Sequence, residues 1–463
     1  MNRMNNYGGF FMARKYEIDM TKGSILKNQI MFAIPLMLSS ILQLLYNAAD
    51  TVVVGRWAGT EALSSVGATG SLSALLTNLF IGLSVGTSVA VSKKYGAGDI
   101  YGLKKIAHTS VALSIVAGLV AMCVGLIFCK PLLLLMGTPE DIVNSAALYM
   151  RIIFIGVPAS LVYNFGAAVL RAVGDTRRPL YILAITGVVN VVLNLILVIG
   201  FHMSVAGVAI ATIVANYLSA AAIMYSLMYS DAPYRINLRN LSLNKEEIKE
   251  IMSVGLPAGI QSSVFALGNT VVQSAVNSFG TAAIAGNTAA GSIEGFIYVS
   301  MNAFYQAAMT SVGQNYGAKE EKRIYKTIKI SIMCASVVGL ILGGISVIFS
   351  PQLLSIYIVN SSEALRIGII RTSLIGCLYF LCGIMDVLSG VLRGLGHSKA
   401  PAFCSVFGAC GFRLLWVFVI LPFNHTPFFL YLCWPISWVV VICMHLTTFM
   451  IVRKKTMEKM YQM

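Results

Sequence analysis

MFAIPLMLSSILQLLYNAADTVVV, residues 31–54, is the stretch that decides the fold class of this chain. It is long enough to cross a bilayer as a helix, which takes about 20 apolar residues. It also contains a carboxylate, Asp50. A charge inside a membrane helix costs about 2.5–3.5 kcal/mol on insertion scales and usually marks an ion or substrate path, so Asp50 is a candidate functional residue. The alternative is that Asp50 lies at the outer end of the helix and is hydrated.

The same stretch contains Pro35, and a second proline, Pro257, opens the seventh apolar run. Proline removes an intrahelical hydrogen bond and clashes with the preceding turn, so we predict hinges at Pro35 and Pro257. The alternative for Pro35 is a membrane proline that the helix simply tolerates.

The composition is that of a polytopic membrane protein. Hydrophobic residues make up 57% of the chain and charged residues 11%, and the mean hydropathy is +0.80, unlike a soluble globular chain. The net charge of +15 forms no basic face or arm, so we expect no nucleic-acid partner.

About twelve apolar runs of spanning length follow one another. They are residues 31–54, 66–91, 106–128, 147–170, 180–200, 205–228, 251–276, 283–312, 328–349, 367–392, 402–421 and 428–452.

Basic residues are concentrated in alternate connections between these runs, and the positive-inside rule places such connections in the cytoplasm. We therefore predict a multi-pass protein of the cell (inner) membrane with both termini cytoplasmic. The opposite loops hold only Arg56, Lys130, Arg151, Arg366 and Arg371. The basic clusters are Arg14, Lys15, Lys22 and Lys27; Lys93, Lys94, Lys104 and Lys105; Arg171, Arg177 and Arg178; Arg235, Arg239, Lys245 and Lys249; Lys319, Lys322, Arg323, Lys326 and Lys329; Arg393 and Lys399; and Arg453, Lys454, Lys455 and Lys459.

The chain is an internal duplication. GTEALSSVGATGS at 59–71 recurs as GTAAIAGNTAAGS at 280–292, KKYGAGD at 93–99 as QNYGAKE at 314–320, and LRAVGDTRRP at 170–179 as LRGLGHSKAP at 392–401. Six spans per repeat give both copies the same orientation, so we predict an all-α fold of two pseudo-symmetric six-helix lobes with a cleft between them. The predicted parts are a cytoplasmic tail (1–27), an N-lobe (28–228), a linker (229–250), a C-lobe (251–452) and a second tail (453–463).

Three motifs resemble those of the multidrug and toxic compound extrusion (MATE) family: ADTVVVGR at 49–56, VGTSVAVSKKYGAGD at 85–99 and LRAVGDTRRP at 170–179, with their echoes in the second half. The resemblance runs from about residue 27 to the C-terminus. It implies a cation-coupled antiporter, not an enzyme, that exports small cationic lipophilic compounds against protons or sodium. It also implies that Asp50 is the carboxylate of the N-lobe cation site, with Thr212 as the hydroxyl of the sixth helix. The Asn-x-x-x-Asp motif of the fifth helix is here Asn190 and Asn194, so one carboxylate is missing.

The second half carries other charges at membrane depth. The family's carboxylate on the tenth helix corresponds to Cys382, and Asp386 stands one turn nearer the cytoplasm. We therefore include Glu294 and Asp386 among the candidate cation-coupling residues. Counting about 1.5 Å per residue places Glu294 and Arg413 at a similar depth, so we predict an ion pair between them. That pair either stabilises the C-lobe or takes part in cation or substrate coupling. Arg171 and Arg393 occupy equivalent repeat positions, and we interpret them as cytoplasmic helix-end anchors.

Aromatic and methionine side chains near the cleft are candidates for an adaptable substrate wall, although ordinary packing explains any one of them. The candidates are Tyr46, Tyr163, Gln261, Tyr298, Met301 and Tyr305. We expect the nine cysteines to act as small hydrophobic residues, because they show no CxxC spacing. We also expect no metal, no cofactor and a monomer in the lipid bilayer.

Two other functions stay open at this point. A flippase for a lipid-linked saccharide or other amphiphile would need several cationic residues in the cleft, and Arg413 alone is weak support. An intramembrane enzyme would need a catalytic constellation, which we do not find. No G-x-x-x-x-G-K-[ST] motif occurs, so an ion gradient must drive transport. One carboxylate is sufficient for a proton carrier, so we favour protons over sodium as the coupling ion.

Overall fold

The computed structural model describes residues 16–58, 60–359 and 361–462. Twelve long helices run through this part of the chain, which contains no strand. Eleven are long and apolar enough to cross a membrane, and α8, with its many polar residues, is the twelfth. The predicted all-α fold is confirmed. The helices are α1 Ile25–Ala58, α2 Thr60–Gly96, α3 Ile100–Leu135, α4 Val143–Ala172, α5 Arg177–Gly200, α6 Ser204–Met228, α7 Lys245–Asn277, α8 Thr281–Gly317, α9 Glu321–Ile348, α10 Ser362–Gly394, α11 Lys399–Phe423 and α12 Pro427–Gln462.

The helices extend beyond the predicted spans because polar residues continue them past the apolar runs. The side chain of Ser24 caps α1 by accepting from the backbone N–H of Lys27, so the helix begins at Ile25, before the predicted span at residue 31. The Asn244 side chain caps α7 in the same way, inside the predicted linker. The first fifteen residues of the tail, with Arg14 and Lys15, lie outside the described residues.

The duplicated LRAVGD and LRGLGH segments form the same turn in both halves. Gly174 and Gly396 have φ values of +92° and +97°, a conformation that glycine adopts without strain. In each copy the backbone N–H of the next residue donates back to a leucine carbonyl, from Asp175 to Leu170 and from His397 to Leu392. These helix-ending turns are Schellman motifs, so this part of the repeat is preserved for its backbone geometry.

Glycines let α2 of the first half pack closely against α7 of the second half. A Cβ atom on Gly82 would lie 2.3 Å from the Cα of Gly259, and one on Gly86 would lie 2.0 Å from the carbonyl oxygen of Ile251. At the end of the same helix, a Cβ on Gly96 would lie 1.9 Å from the carbonyl oxygen of Gln314 in α8. The two halves therefore meet along the part of α2 nearest the basic connections. We call that side of the molecule the basic side.

The segment before α1 covers this junction on the basic side. Met20 is 1% exposed, and its backbone N–H donates to the side-chain oxygen of Gln314 at 2.9 Å. Its carbonyl oxygen accepts from Asn315 and from Arg323 at 3.2 and 3.1 Å. The amide of Gln314 donates in turn to the carbonyl of Ala172 at 2.8 Å. Hydrogen bonds thus join α4, α8 and the N-terminal segment, and they close the basic side between the halves.

Pro35 and Pro257 both lie inside helices that continue past them. The Ser39 hydroxyl donates to the carbonyl of Pro35 at 2.8 Å. The hinges at both prolines stay predictions. Other departures from α-helical hydrogen bonding occur in π-helical segments that the sequence analysis did not identify. They are Val54–Ala58, Leu195–Gly200, Val406–Gly411 and Trp416–Ile420.

Candidate functional site

Asp50 is joined to the fifth helix as the sequence analysis expected. The side-chain amide of Asn194 donates a short hydrogen bond to Asp50 and a second one to the Oδ1 of Asn190, at 3.3 Å. Asn194 is fully buried and Asn190 is 6% exposed. Within the described part of the chain, the Oδ1 of Asn194 is buried without a hydrogen-bond partner. A carboxylate and two amide oxygens therefore lie together, and one buried acceptor still lacks a donor or a cation.

Two π-helical segments begin beside this cluster. Val54–Ala58 follows Asp50 on α1, and Leu195–Gly200 starts directly after Asn194 on α5. Single π-helical turns inside α-helices are frequent at functional sites. The Thr212 hydroxyl donates to the carbonyl of Val208 in its own helix at 2.9 Å, which leaves its oxygen free to accept. The structure therefore brings together Asp50, Asn190 and Asn194, and the part of Thr212 in a cation site stays a prediction.

A cavity of about 560 Å³ lies between the two halves. Its wall includes Asn78 and Ser88 of α2, Gln261 and Asn269 of α7, and Asp386 of α10. Asp50 and the two asparagines are not among the residues that line it. The structure therefore separates the carboxylate cluster of α1 and α5 from the central cavity.

The candidate substrate residues fall into two groups. Gln261, Tyr298 and Tyr305 line the central cavity as expected. Tyr46, Tyr163 and Met301 do not, which corrects their assignment: they are packing residues that hold neighbouring helices together. The hydroxyl groups of Tyr46 and Tyr163 donate to the carbonyls of Ala184 and Pro179, and Met301 is 1% exposed among the hydrophobic side chains of α8, α10 and α12.

The central cavity contains three arginines, and sequence reasoning recognised only one of them as a membrane-depth residue. Arg171 and Arg393 line it together with Arg413. Arg171 and Arg393 stand in the last turns of α4 and α10, at the helix ends where the sequence analysis placed them, but their side chains line the cavity, which the interpretation as anchors did not include. Arg171 donates to Gln306 at 3.4 Å. Arg393 donates to Gln261 at 2.5 Å and makes a short hydrogen bond to the Tyr305 hydroxyl.

The ion pair predicted between Glu294 and Arg413 is also wrong. Glu294 pairs with Arg371 through two parallel hydrogen bonds of 2.8 and 2.7 Å. Arg371 makes a third, short bond to Asn287. The sequence analysis counted Arg371 among the residues of the opposite loops, but it lies on α10, which begins at Ser362, and it is buried. Arg413 donates instead to Ser437 and Asn269, at 3.3 and 3.2 Å.

Glu294 and Arg371 line a second cavity of about 450 Å³, which shares Asn269, Tyr298, Tyr379 and Trp434 with the central one. Their bidentate geometry leaves this region without net charge. Asp386, the other predicted coupling residue of the second half, lines the central cavity.

Comparison with known proteins agrees with this architecture. The family model MatE matches the chain twice, at residues 35–196 and 257–419, two matches that begin 222 residues apart. "Probable multidrug resistance protein YoeA" from Bacillus subtilis (strain 168) is 28% identical over 407 residues, which cover 86% of this chain and 88% of that protein. A protein of Shewanella oneidensis named "FAD transporter" is 23% identical over 314 residues, 67% of this chain and 69% of its own length.

A solved structure from Pyrococcus furiosus has the same fold, with a TM-score of 0.85 over 95% of this chain and 97% of its own at 24% identity. It was reported as "Reverse polarity of binding pocket suggests different function of a MOP superfamily transporter". The family matches span well over half of the chain and reproduce its duplication. The chain therefore belongs to the MatE family of multidrug efflux transporters, multi-pass membrane proteins that are not enzymes.

Proposed function

We propose that this chain is a secondary active exporter of the cell (inner) membrane that exchanges substrate for a cation by alternating access. The observation that carries the proposal is the chain of side-chain contacts Asp50–Asn194–Asn190 beside two π-helical segments, at a distance from a central cavity. If the basic side is cytoplasmic, the closed junction there makes this an outward-facing state. One chain provides the whole cavity, which supports a monomer.

Helix α1 links the proposed cation site to the junction between the halves. Near its basic end, Phe32 and Leu36 are buried against α8 residues such as Phe304, and the Gln29 amide donates to the carbonyl of Ala307 at 3.4 Å. Near its other end, Asp50 is bonded to α5. A bend at Pro35 would move the Asp50 end while the basic end stays packed against α8. Binding or loss of a cation at Asp50 would then change the shape of the first half and favour substrate release.

We propose protons as the coupling ion. Asp50 alone can carry a proton, whereas sodium needs several converging oxygens and Asn194 replaces the second carboxylate. Glu294 adds nothing to this choice because Arg371 neutralises it. Asp386 in the central cavity is the second candidate carrier.

The test is transport in proteoliposomes under an imposed pH gradient or an imposed sodium gradient, each alone. Asp50→Asn should abolish gradient-driven transport, whereas Asp141→Asn, in an exposed connection, should not. Full transport by Asp50→Asn would remove Asp50 from the mechanism. Transport that follows sodium at constant pH and ignores the proton gradient would refute proton coupling, and Asn194→Asp should then alter the sodium dependence.

The resemblance to the family predicts cationic lipophilic substrates, and the multidrug name of the Bacillus relative supports that class. A second candidate is the flipping of a lipid-linked saccharide or another amphiphile. This candidate requires several cationic residues in the cleft, and three arginines line the cavity. The Shewanella relative named for FAD supports an anionic aromatic substrate as a third possibility.

A further inference from the structure

The central cavity holds more positive than negative charge. Three arginines, Arg171, Arg393 and Arg413, line it. Among the described residues that line it, Asp386 is the one acidic side chain. Within the described residues, none of these three arginines lies within ion-pair distance of a carboxylate. Buried charge is costly unless it is paired, so an excess of guanidinium groups in this space calls for a counter-charge.

We propose that the central cavity binds an organic anion, a compound with a carboxylate or phosphate group attached to an aromatic or apolar body. The proposal rests on the proposed transport function and names its substrate class. It departs from the cationic substrates that the family resemblance implies.

The unused donors of the arginines support this class. A guanidinium has five N–H donors in a planar fork that matches carboxylate and phosphate oxygens. Arg413 uses one donor for Ser437 and one for Asn269, both neutral acceptors. Arg393 likewise donates to the neutral groups of Tyr305 and Gln261, and its Nε is buried without a partner within the described chain. Each of these side chains is held in place by neutral groups and keeps donors for a ligand.

Arg371 is the internal comparison. It lies at similar burial in the same half, 7% exposed against 4% for Arg413 and 5% for Arg393. Its donors are directed at the Glu294 carboxylate, which provides the counter-charge from the protein itself. The protein thus neutralises the arginine beside the cavity and leaves those inside it without such a partner.

Aromatic side chains around the arginines provide a surface for the apolar part of the ligand. The Arg413 guanidinium lies 5.5 Å from the ring centre of Trp434 and 6.0 Å from that of Phe265. Arg393 lies 5.7 Å from the ring centre of Tyr305. These rings also line the cavity. An anionic group on the guanidiniums would leave an aromatic body against these rings.

Arg171 and Arg393 come from equivalent positions of the two repeats, in the last turns of α4 and α10. Both line the cavity near the basic side, so each half contributes one cation to the same space. Arg171 also reaches across the junction to Gln306 of α8. An anion that bound both arginines would contact both halves and would respond when they separate.

The test is binding to the purified protein in neutral detergent, followed by fluorescence polarisation without any ion gradient. The probes are fluorescein and rhodamine 6G, which share a xanthene ring system and carry opposite charge. We expect fluorescein to bind more tightly. Arg393→Gln and Arg413→Gln should each weaken fluorescein binding about tenfold, the value of one charge-assisted hydrogen bond. Arg151→Gln, exposed on the same helix as Arg171 and outside the cavity, is the matched control.

Two further variants distinguish a loss of ligand contacts from a loss of folding. Arg413→Lys keeps the charge and should retain most of the binding, and Asp386→Asn removes the opposing charge and should tighten it. Because no gradient is applied, the result is independent of coupling at Asp50: binding without gradient-driven transport would refute the proposed function alone. Tighter binding of rhodamine 6G, binding of neither dye, or fluorescein binding that the arginine variants leave unchanged would overturn the proposal.

The anionic group can belong to a free compound or to a lipid headgroup, and a competition experiment distinguishes them. Phosphatidylglycerol and phosphatidylcholine are added separately to the fluorescein complex. Displacement by phosphatidylglycerol and not by phosphatidylcholine would identify a lipid phosphate as the source. If neither lipid displaces fluorescein, the anionic group belongs to a free compound.

Discussion

Replacing both members of the buried Glu294–Arg371 pair should destabilise the protein less than the sum of the two single replacements. The side chains of Arg371 and Glu294 are 9% and 8% exposed and are joined by parallel hydrogen bonds of 2.7 and 2.8 Å. Solvent screening, which makes surface ion pairs weak, is largely absent at this burial. Glu294→Gln strands a guanidinium, and Arg371→Met strands a carboxylate.

The expected loss is about 3–5 kcal/mol of unfolding free energy for either single variant, the usual cost of a buried charge without its partner. The double variant removes both charges, and its loss should be smaller than the sum by about 1–3 kcal/mol. The assay is reversible unfolding of the purified protein in mixed micelles, titrated with a denaturing detergent. Helical content by circular dichroism reports the transition.

Arg413 supplies the control because the sequence analysis paired Glu294 with it. Glu294→Gln and Arg413→Met should be additive to within about 0.5 kcal/mol, as expected for sites that do not interact. Additive losses for Glu294 and Arg371 would refute the reasoning from the structure. Strong coupling of Glu294 with Arg413 would restore the original pairing.

Three other predictions concern the basic side and the junction between the halves. Burial raises the pKa of Asp175 from 3.8 to about 6. Between these two pH values the folded state keeps a proton on Asp175 that the unfolded state has lost. The free energy of unfolding should therefore fall by up to about 3 kcal/mol as the pH rises from about 4 to about 6. Asp175→Asn should lack that decrease, and identical pH profiles would contradict the expectation. Gln314→Ala removes bonds to Met20 and Ala172 and should speed hydrogen exchange of residues 16–24, whereas Gln352→Ala, on an exposed short helix, should not. Gly86→Ala places a Cβ 2.0 Å from the Ile251 carbonyl oxygen and should lower the free energy of unfolding by about 1–3 kcal/mol. Gly67→Ala, on the same helix in open space, should leave it unchanged. Equal melting temperatures for the two variants would argue against the close packing of α2 on α7.

The helices and the duplication could be predicted because each rests on a pattern along the chain. Spanning runs are visible in the hydropathy, and the repeated LRAVGD and LRGLGH segments share one turn geometry. The helix ends were less predictable. Ser24 and Asn244 extend α1 and α7 through side-chain caps, which lie outside the apolar runs. The π-helical segments have no hydropathy signal at all.

The cluster around Asp50 was predictable in part, since Asn190 and Asn194 lie one turn apart on α5 and the family motif points to them. The partner of Glu294 was not. Counting residues along a helix gives depth in the membrane and does not give the direction in which a side chain points. Arg413 satisfied the depth argument, but Arg371 is the arginine whose side chain faces Glu294.

The two arginines missed in the cavity show why a duplicated residue can still be functional. The sequence analysis interpreted Arg171 and Arg393, which occupy equivalent positions of the two repeats, as helix-end anchors. A cavity between two pseudo-symmetric halves lies on the axis that relates them, so a residue that points at the axis in one half has a counterpart that points at it in the other. Arg171 and Arg393 are such a pair, and both line the cavity. Asp50 is not among the residues of that wall, and the position 222 residues further along, at the spacing of the two family matches, is Val272. Duplication therefore separates on-axis residues from off-axis ones, and the charge of a transport cavity has to be counted from both copies.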